Sequence, residues 1–306
     1  MTHRWWLDEP RLCLSWDLWY GCNYRCSYCW WEMEDLWADL AKRHKILPPE
    51  DWISTWGRVR ERHGEARLDV LGGEPLLYPK ASELWRGLAG LHRLLITTNL
   101  SIPIEKIREL MEAAPPERLH LNASFHPQFA SPDEFLEKLL LLHSKGYEPG
   151  VLLVTWPPLV ARMPEYAALF KKWNLPFTPM VFQGRWEGKN YPEAFEDDQK
   201  RVIASLMGNA GVAKEDEFKY RLLRDGTRGK PCHAGRVYAN VKGDGSVFRC
   251  GQDAFGRKPL GNIFDEHFGL FERPEPCPYE KCSCLEFRYL DEIYSPRAPL
   301  SQEGAK

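Results

Sequence analysis

Short apolar runs alternate with helix-patterned stretches along most of the chain. LCLSWDL (12–18), RLDVL (67–71), RLLITTN (93–99), RLHLNAS (118–124), GVLLVT (150–155) and PFTPMVF (176–182) read as strands. After a longer first interval they recur about every twenty-five to thirty residues, the length of a strand-plus-helix unit. Two of the intervening helices carry clear start and stop signals. In SPDEFLEKLLLLHSKG, Ser131 is the N-cap, Pro132 the first helical residue and Glu134 completes a capping box. Phe135, Leu136, Leu139 and Leu140 form its apolar face and Gly146 ends it. IPIEKIRELMEAAPP places Ile104, Ile107, Leu110, Met111 and Ala114 on one stripe and stops at Pro115 and Pro116. Six such units predict a parallel sheet with right-handed crossovers, as a partial or full barrel or an open doubly wound sheet.

The pattern changes at 208–231, where GNAGVAKEDEF and RDGTRGKP are rich in glycine and charge. Beyond it, VYANV and SVFRC flank GDG, a strong hairpin signal. SPRAPLSQEGAK at the end reads as a disordered tail. The expected organisation is a main α/β domain over 10–208, a linker over 209–230, a small unit over 231–290 and a tail over 291–306.

Composition narrows the function. A net charge of −2 over 306 residues provides no basic footprint for nucleic acid. No apolar run approaches a membrane span, and MTHRWWLDEP lacks the apolar core of a signal peptide, so a cytoplasmic location is expected. In that compartment the nine cysteines read as metal ligands or reactive thiols rather than disulfides. Cys22, Cys26 and Cys29 fall in YGCNYRCSYCWW, directly after the first strand. Cys232, Cys250, Cys277, Cys282 and Cys284 fill the C-terminal part, and Cys13 reads as a buried core thiol. Two separate metal sites are the simplest reading. Three ligands rather than four leave a coordination position open. Of the thirteen tryptophans, Trp52, Trp56, Trp85 and Trp173 are expected to pack helices, while Trp30 and Trp31 adjoin the cysteine loop.

The C-x3-C-x2-C spacing, with Tyr28 just before the last cysteine, closely resembles the signature of the radical S-adenosylmethionine superfamily. GGEP at Gly72, Gly73, Glu74 and Pro75, after the second strand, supports it. On its own GGEP is a turn. The resemblance implies a partial (β/α)6 barrel and a [4Fe-4S] cluster on the three cysteines. It also implies that GGEP grips the amino group of S-adenosylmethionine, where Glu74 can accept from an ammonium. Thr98 and Asn99 end the third strand, Ser124 the fourth and Thr155 the fifth, positions where the family contacts the cofactor. His126 stands where an acidic residue is usual, and with Pro127 it either shapes a loop or meets the cofactor. Arg185 and Glu187 read as part of a solvated loop.

Cys232-x17-Cys250 with Gly245 between them resembles the start of the SPASM and twitch extensions of this family. Five cysteines fit the one-cluster twitch form, so a second, auxiliary [4Fe-4S] cluster is implied, with a zinc knuckle as the plainer alternative. Which four cysteines ligate stays open. By analogy the enzyme cleaves S-adenosylmethionine reductively and abstracts a hydrogen atom, with electrons from a flavodoxin or ferredoxin-type donor and an apolar, aromatic lining around the radical. The first strand begins near residue 12, leaving no room for an N-terminal peptide-recognition domain. That favours a small-molecule over a peptide substrate, and a net oxidation over epimerisation or rearrangement. A redox sensor or cluster scaffold is the non-enzymatic alternative.

Overall fold

The computed structural model describes residues 11–30, 46–208, 224–253, 259–282, 289–291 and 294. Most of the expected linker and tail, Trp31 and Cys284 lie outside the described residues.

Strand β1 (Leu12–Trp19) explains the layering. Leu14, Trp16 and Leu18 point to one side, and Trp16 packs edge-on against Trp52 and Trp56 of helix α1 (Pro49–His63), with ring centroids 4.7 and 5.1 Å apart. Helices therefore cover that face of the sheet. The succession continues with β2 (Ala66–Gly72), α2 (Ala81–Leu91), β3 (Arg93–Thr98), α3 (Ile104–Ala113), β4 (Leu119–Ser124), α4 (Pro132–Ser144), β5 (Gly150–Val154), α5 (Met163–Lys172) and β6 (Phe177–Met180). All six strands pair in parallel with their sequence neighbours. At the start of α4, Ser131 Oγ accepts from Glu134 N at 3.2 Å. The Glu134 carboxylate accepts from the Ser131 hydroxyl. Trp85 is buried in α2 as expected, whereas Trp173, just past α5, is 44% exposed.

Three more strands extend this sheet. A short hairpin, β7 (Gly184–Trp186) with β8 (Lys189–Tyr191), and α6 (Asp197–Gly208) follow the sixth strand. Glu187, at φ 46°, forms the hairpin turn. The C-terminal part comprises β9 (Arg224–Asp225), β10 (Pro231–Cys232), β11 (Tyr238–Val241), β12 (Ser246–Phe248), β13 (Gly261–Asn262), β14 (Glu275–Pro276) and β15 (Lys281–Cys282). β11 and β12 are the expected hairpin. At its turn Gly245 has φ 84°, and an added Cβ would lie 2.4 Å from Phe264. β11 runs parallel to β1, from Cys13 opposite Tyr238 to Trp16 opposite Val241. The resulting nine-stranded order is β13-β12-β11-β1-β2-β3-β4-β5-β6. The C-terminal hairpin is thus hydrogen-bonded into the main sheet.

The face opposite the helices is polar around β1. The Asp17 carboxylate accepts from Lys242 Nζ at 2.6 Å, Ser15 Oγ from Asn240 Nδ2 at 3.4 Å, and Asp69 from Arg67 at 2.6 and 2.9 Å. On β3 and β5 the helix-facing residues are buried while the alternate ones remain partly accessible. That alternation marks β3 and β5 as packed on one side and open on the other, whereas Leu12–Leu18 of β1 are buried on both faces. Aromatic lining occurs at the rim, where Trp156 packs against Tyr28 and Trp186.

Candidate active site

Pairing of β1 with β2 brings the cysteine loop and GGEP together. Gly73 N donates to Trp19 O and Glu74 N to Gly21 O, both at 2.8 Å. Gly72 has φ 125°, and a Cβ there would lie 2.1 Å from Trp19 O; one on Gly73 would lie 2.1 Å from Gly21 O. Only glycine fits either position. The close approach made by the two glycines is to the backbone at the root of the cysteine loop.

Glu74 is almost wholly buried. Its Oε1 accepts from Thr98 Oγ1 at 2.7 Å and Leu76 N at 2.9 Å, and its Oε2 from Asn99 N at 2.6 Å. Thr98 and Asn99 therefore act through Glu74, tying the end of β3 to the turn after β2. Burial outweighs these three donors and pushes the Glu74 carboxyl up to about 7. Pro75 opens the short helical turn that Glu74 caps. Asn99 also reaches the loop, donating from Nδ2 to Asn23 Oδ1 at 3.1 Å and to Cys22 Sγ at 3.8 Å.

The segment after β4 meets the loop from the other side. His126 Nδ1 lies 2.9 Å from Tyr28 Oη and 3.4 Å from Cys26 Sγ. Gln128 and Ser27 exchange two hydrogen bonds, and Phe129 stacks on Tyr24 at 4.7 Å. Solvent exclusion holds the His126 imidazole neutral, pushing it down to about 4. Ser124 is half-buried at the end of β4. Thr155 is buried, and its Oγ1 accepts from Phe182 N at 3.0 Å, so it joins the ends of β5 and β6. Burial raises the Cys22 thiol and pushes Cys26 up to about 12.

A radical SAM superfamily model matches residues 17–155, which run from within β1 to the end of β5. This stretch is a radical SAM domain. A GTP 3',8-cyclase of Crocosphaera subtropica is 27% identical over 248 residues, covering 73% of this chain and 66% of the cyclase. An S-adenosylmethionine-dependent nucleotide dehydratase of a Thermoplasmatales archaeon is 32% identical over 95 residues, 30% of this chain and 31% of that protein. The chain thus spans less than two thirds of these relatives' lengths. Among solved structures, Streptococcus suis SuiB bound to S-adenosylmethionine superposes with a TM-score of 0.62 at 15% identity, covering 92% of this chain and 66% of SuiB. anSMEcpe with bound AdoMet and the Cp18Cys peptide gives 0.56 at 18% identity, covering 92% and 81%. These likenesses bear out the partial-barrel architecture.

The loop of this radical SAM domain fits a family cluster. Cys22, Cys26 and Cys29 form no disulfide. Their burial disfavours bare thiolates, a penalty that ligation to iron offsets. Hydrogen-bond donors already face the sulfurs, from Tyr24 N and Asn99 to Cys22. The Glu74 carboxylate can accept up to four donors and takes three from Leu76, Thr98 and Asn99, at 1% exposure.

The C-terminal cysteines gather separately. Cys232, Cys250, Cys277 and Cys282 are buried and line one cavity with Arg249, Gln252 and Tyr279. The buried Arg249 guanidinium donates to Pro276 O and Glu275 O beside them. Among the described residues, no three Cys, His, Asp or Glu side chains converge to hold a single metal ion. Cys13 packs in the same buried group as Cys232, Cys250 and Cys277. The cavity therefore lies toward the start of β1, whereas Cys22 follows its end. Sequence reasoning missed Asn23, Tyr24, Gln128, Arg249 and the Asp17–Lys242 pair. For Asp17 one signal was present, a carboxylate inside an apolar strand.

Proposed function

We propose that this chain is a radical SAM enzyme that oxidises a small, polar molecule held against the open face of its sheet. Cys22, Cys26 and Cys29 would hold the cluster, which would supply the electron for reductive cleavage of S-adenosylmethionine and so the means of removing a hydrogen atom from the substrate. The chain's own residues bind and orient. Glu74 accepts from the ammonium of S-adenosylmethionine, Gly72 and Gly73 seat the loop, and Tyr28 and Trp156 exclude water at the rim.

One observation carries the reading. The polar face formed by Ser15, Asp17, Asp69, Asn240 and Lys242 lies between the two cysteine groups, at opposite ends of β1. At about 3.3 Å per residue, the six steps from Cys13 to Trp19 correspond to about 20 Å. Cys232, Cys250, Cys277 and Cys282 would hold a second cluster at the far end, which would supply an acceptor for the second electron as the substrate loses a proton. The two named relatives are a GTP 3',8-cyclase and a nucleotide dehydratase. On this face the cations Lys242 and Arg67 are matched by Asp17 and Asp69, which supports a substrate with many hydrogen-bonding groups and little net charge rather than a triphosphate. Among the described residues no helix is long and apolar enough to cross a membrane.

The test is anaerobic incubation with S-adenosylmethionine, a flavodoxin or ferredoxin-type reductant and candidate substrates, read by mass spectrometry. The expected result is one 5′-deoxyadenosine per product, with the product two hydrogens lighter than the substrate. A product of unchanged mass makes the enzyme an epimerase or mutase. Turnover of peptides alone makes it a peptide-modifying enzyme. Absence of 5′-deoxyadenosine leaves a redox sensor or scaffold.

A further inference from the structure

The loop that carries Cys22, Cys26 and Cys29 is clasped by three residues, His126, Gln128 and Phe129, about one hundred positions away. His126 meets Cys26 and Tyr28, Gln128 meets Ser27, and Phe129 meets Tyr24. The contacts are of two kinds. Gln128 and Phe129 touch backbone, hydroxyl and ring, so they hold the shape of the loop. His126 and Tyr28 converge on a sulfur. The Tyr28 hydroxyl hydrogen-bonds Cys26, and His126 Nδ1 stands 3.4 Å from the same Sγ and 2.9 Å from the Tyr28 oxygen. The two rings stack at 5.7 Å with 22° between planes, which fixes both polar atoms against the sulfur.

A cysteine that ligates iron carries no proton and can only accept hydrogen bonds. Tyr28 Oη and His126 Nδ1 stand 2.9 Å apart, so with the Tyr28 hydroxyl given to the Cys26 sulfur the His126 Nδ1–H is shared between the Tyr28 oxygen and the sulfur 3.4 Å away. Donors on a ligating sulfur withdraw electron density from a cluster and favour its reduced, more negative state. We infer that His126 and Tyr28 are positioning residues that donate to the Cys26 thiolate and raise the reduction potential of the cluster, while Gln128 and Phe129 only hold the loop. This inference rests on the reading that the cysteine loop carries a cluster. It also separates the two roles open to His126 at the sequence level, assigning it to the cluster ligand.

The experiment is a redox titration followed by electron paramagnetic resonance on the full-length, reconstituted protein. The midpoint is taken from the signal that added S-adenosylmethionine perturbs, with iron and sulfide measured on each sample. His126→Leu and Tyr28→Phe should each lower the ratio of reduced to oxidised cluster about tenfold at a fixed potential, a midpoint about 59 mV more negative for one electron. His126→Gln, whose amide offers a donor, should recover most of that shift. Gln128→Ala should keep the wild-type midpoint. A loaded His126→Leu protein with the wild-type midpoint overturns the inference, as does a Gln128→Ala shift equal to that of His126→Leu. If His126→Leu takes up no iron, Tyr28→Phe decides alone by the same criterion. A wild-type protein that loads no cluster on this loop refutes the underlying reading instead.

Discussion

Replacing Glu74 with glutamine sets two effects against each other, and pH separates them. In the folded protein the carboxyl sits at about 7 against an ordinary value of 4.5. That difference corresponds to about 3 kcal/mol favouring the protonated form. Because the folded state holds this proton more tightly, it binds more protons than the unfolded chain between 4.5 and about 7. Stability from this group is therefore fully present below 4.5, declines as pH rises, and is lost above about 7. Glutamine has no such titration. It instead places an NH2 where a carboxylate oxygen now accepts. If that is the Oε2 position, the buried Asn99 N–H loses its acceptor; if Oε1, Leu76 N–H does. Either loss costs about 1–3 kcal/mol. In cluster-free protein, urea unfolding followed by tryptophan fluorescence should show Glu74→Gln destabilised by about that amount at pH 5. At pH 8 the relief of a buried charge, about 3 kcal/mol, should offset the loss and leave the variant near or above wild type. On the proposed reading, the ammonium of S-adenosylmethionine would supply the missing cation in the reconstituted protein. Wild-type affinity should then fall as pH drops below about 7. The variant should bind about ten- to a hundredfold more weakly at pH 8, from a charged hydrogen bond of about 1.5–3 kcal/mol, with little pH dependence. An equal stability penalty at pH 5 and pH 8 would refute the buried, unneutralised carboxylate. Equal cofactor affinity would reduce GGEP to a turn.

Changing Cys22, Cys26 and Cys29 together to alanine should leave about half the reconstituted iron, and changing Cys232 and Cys250 should remove the other half; zinc at the second site by elemental analysis would refute the auxiliary cluster. Lys242→Met strands the Asp17 carboxylate, whose side chain is 6% exposed, and should cost about 3 kcal/mol in chemical denaturation. Adding Asp17→Asn should restore part of it, and additive losses would show that the pair is uncoupled. Gly73→Ala forces a Cβ to within 2.1 Å of Gly21 O, so iron uptake at the cysteine loop and S-adenosylmethionine binding by calorimetry should both fall; normal values for both would show that the loop root yields freely.

Much of the local architecture is written in short stretches of sequence. The six strands, the stop of α3 at its double proline and the cap of α4 follow from apolar spacing and turn chemistry within a dozen residues. The hairpin at GDG is of the same kind. So are the cysteine spacing and GGEP, because a ligand loop and a tight turn need particular residues at particular short intervals. Trp173 shows the limit: a helix-end tryptophan is packed or exposed according to what lies opposite, which spacing does not state.

The sequence by itself therefore determined the α/β unit repeat, the three-cysteine motif after β1 and the existence of a second cysteine group. Only the tertiary structure decided which groups those residues face. Glu74 meets Thr98 and Asn99 because β2 and β3 are parallel neighbours, Cys26 meets His126 across one hundred residues, and Asp17 meets Lys242 across 225. It also joined β11 to β1, which sets the two cysteine groups at opposite ends of one strand with a polar face between them. The physical reason is one of range. Backbone propensity and side-chain periodicity act over a few residues and leave a mark in sequence. Hydrogen bonds and ion pairs between distant segments depend on strand order and register, which arise only when the whole sheet has formed.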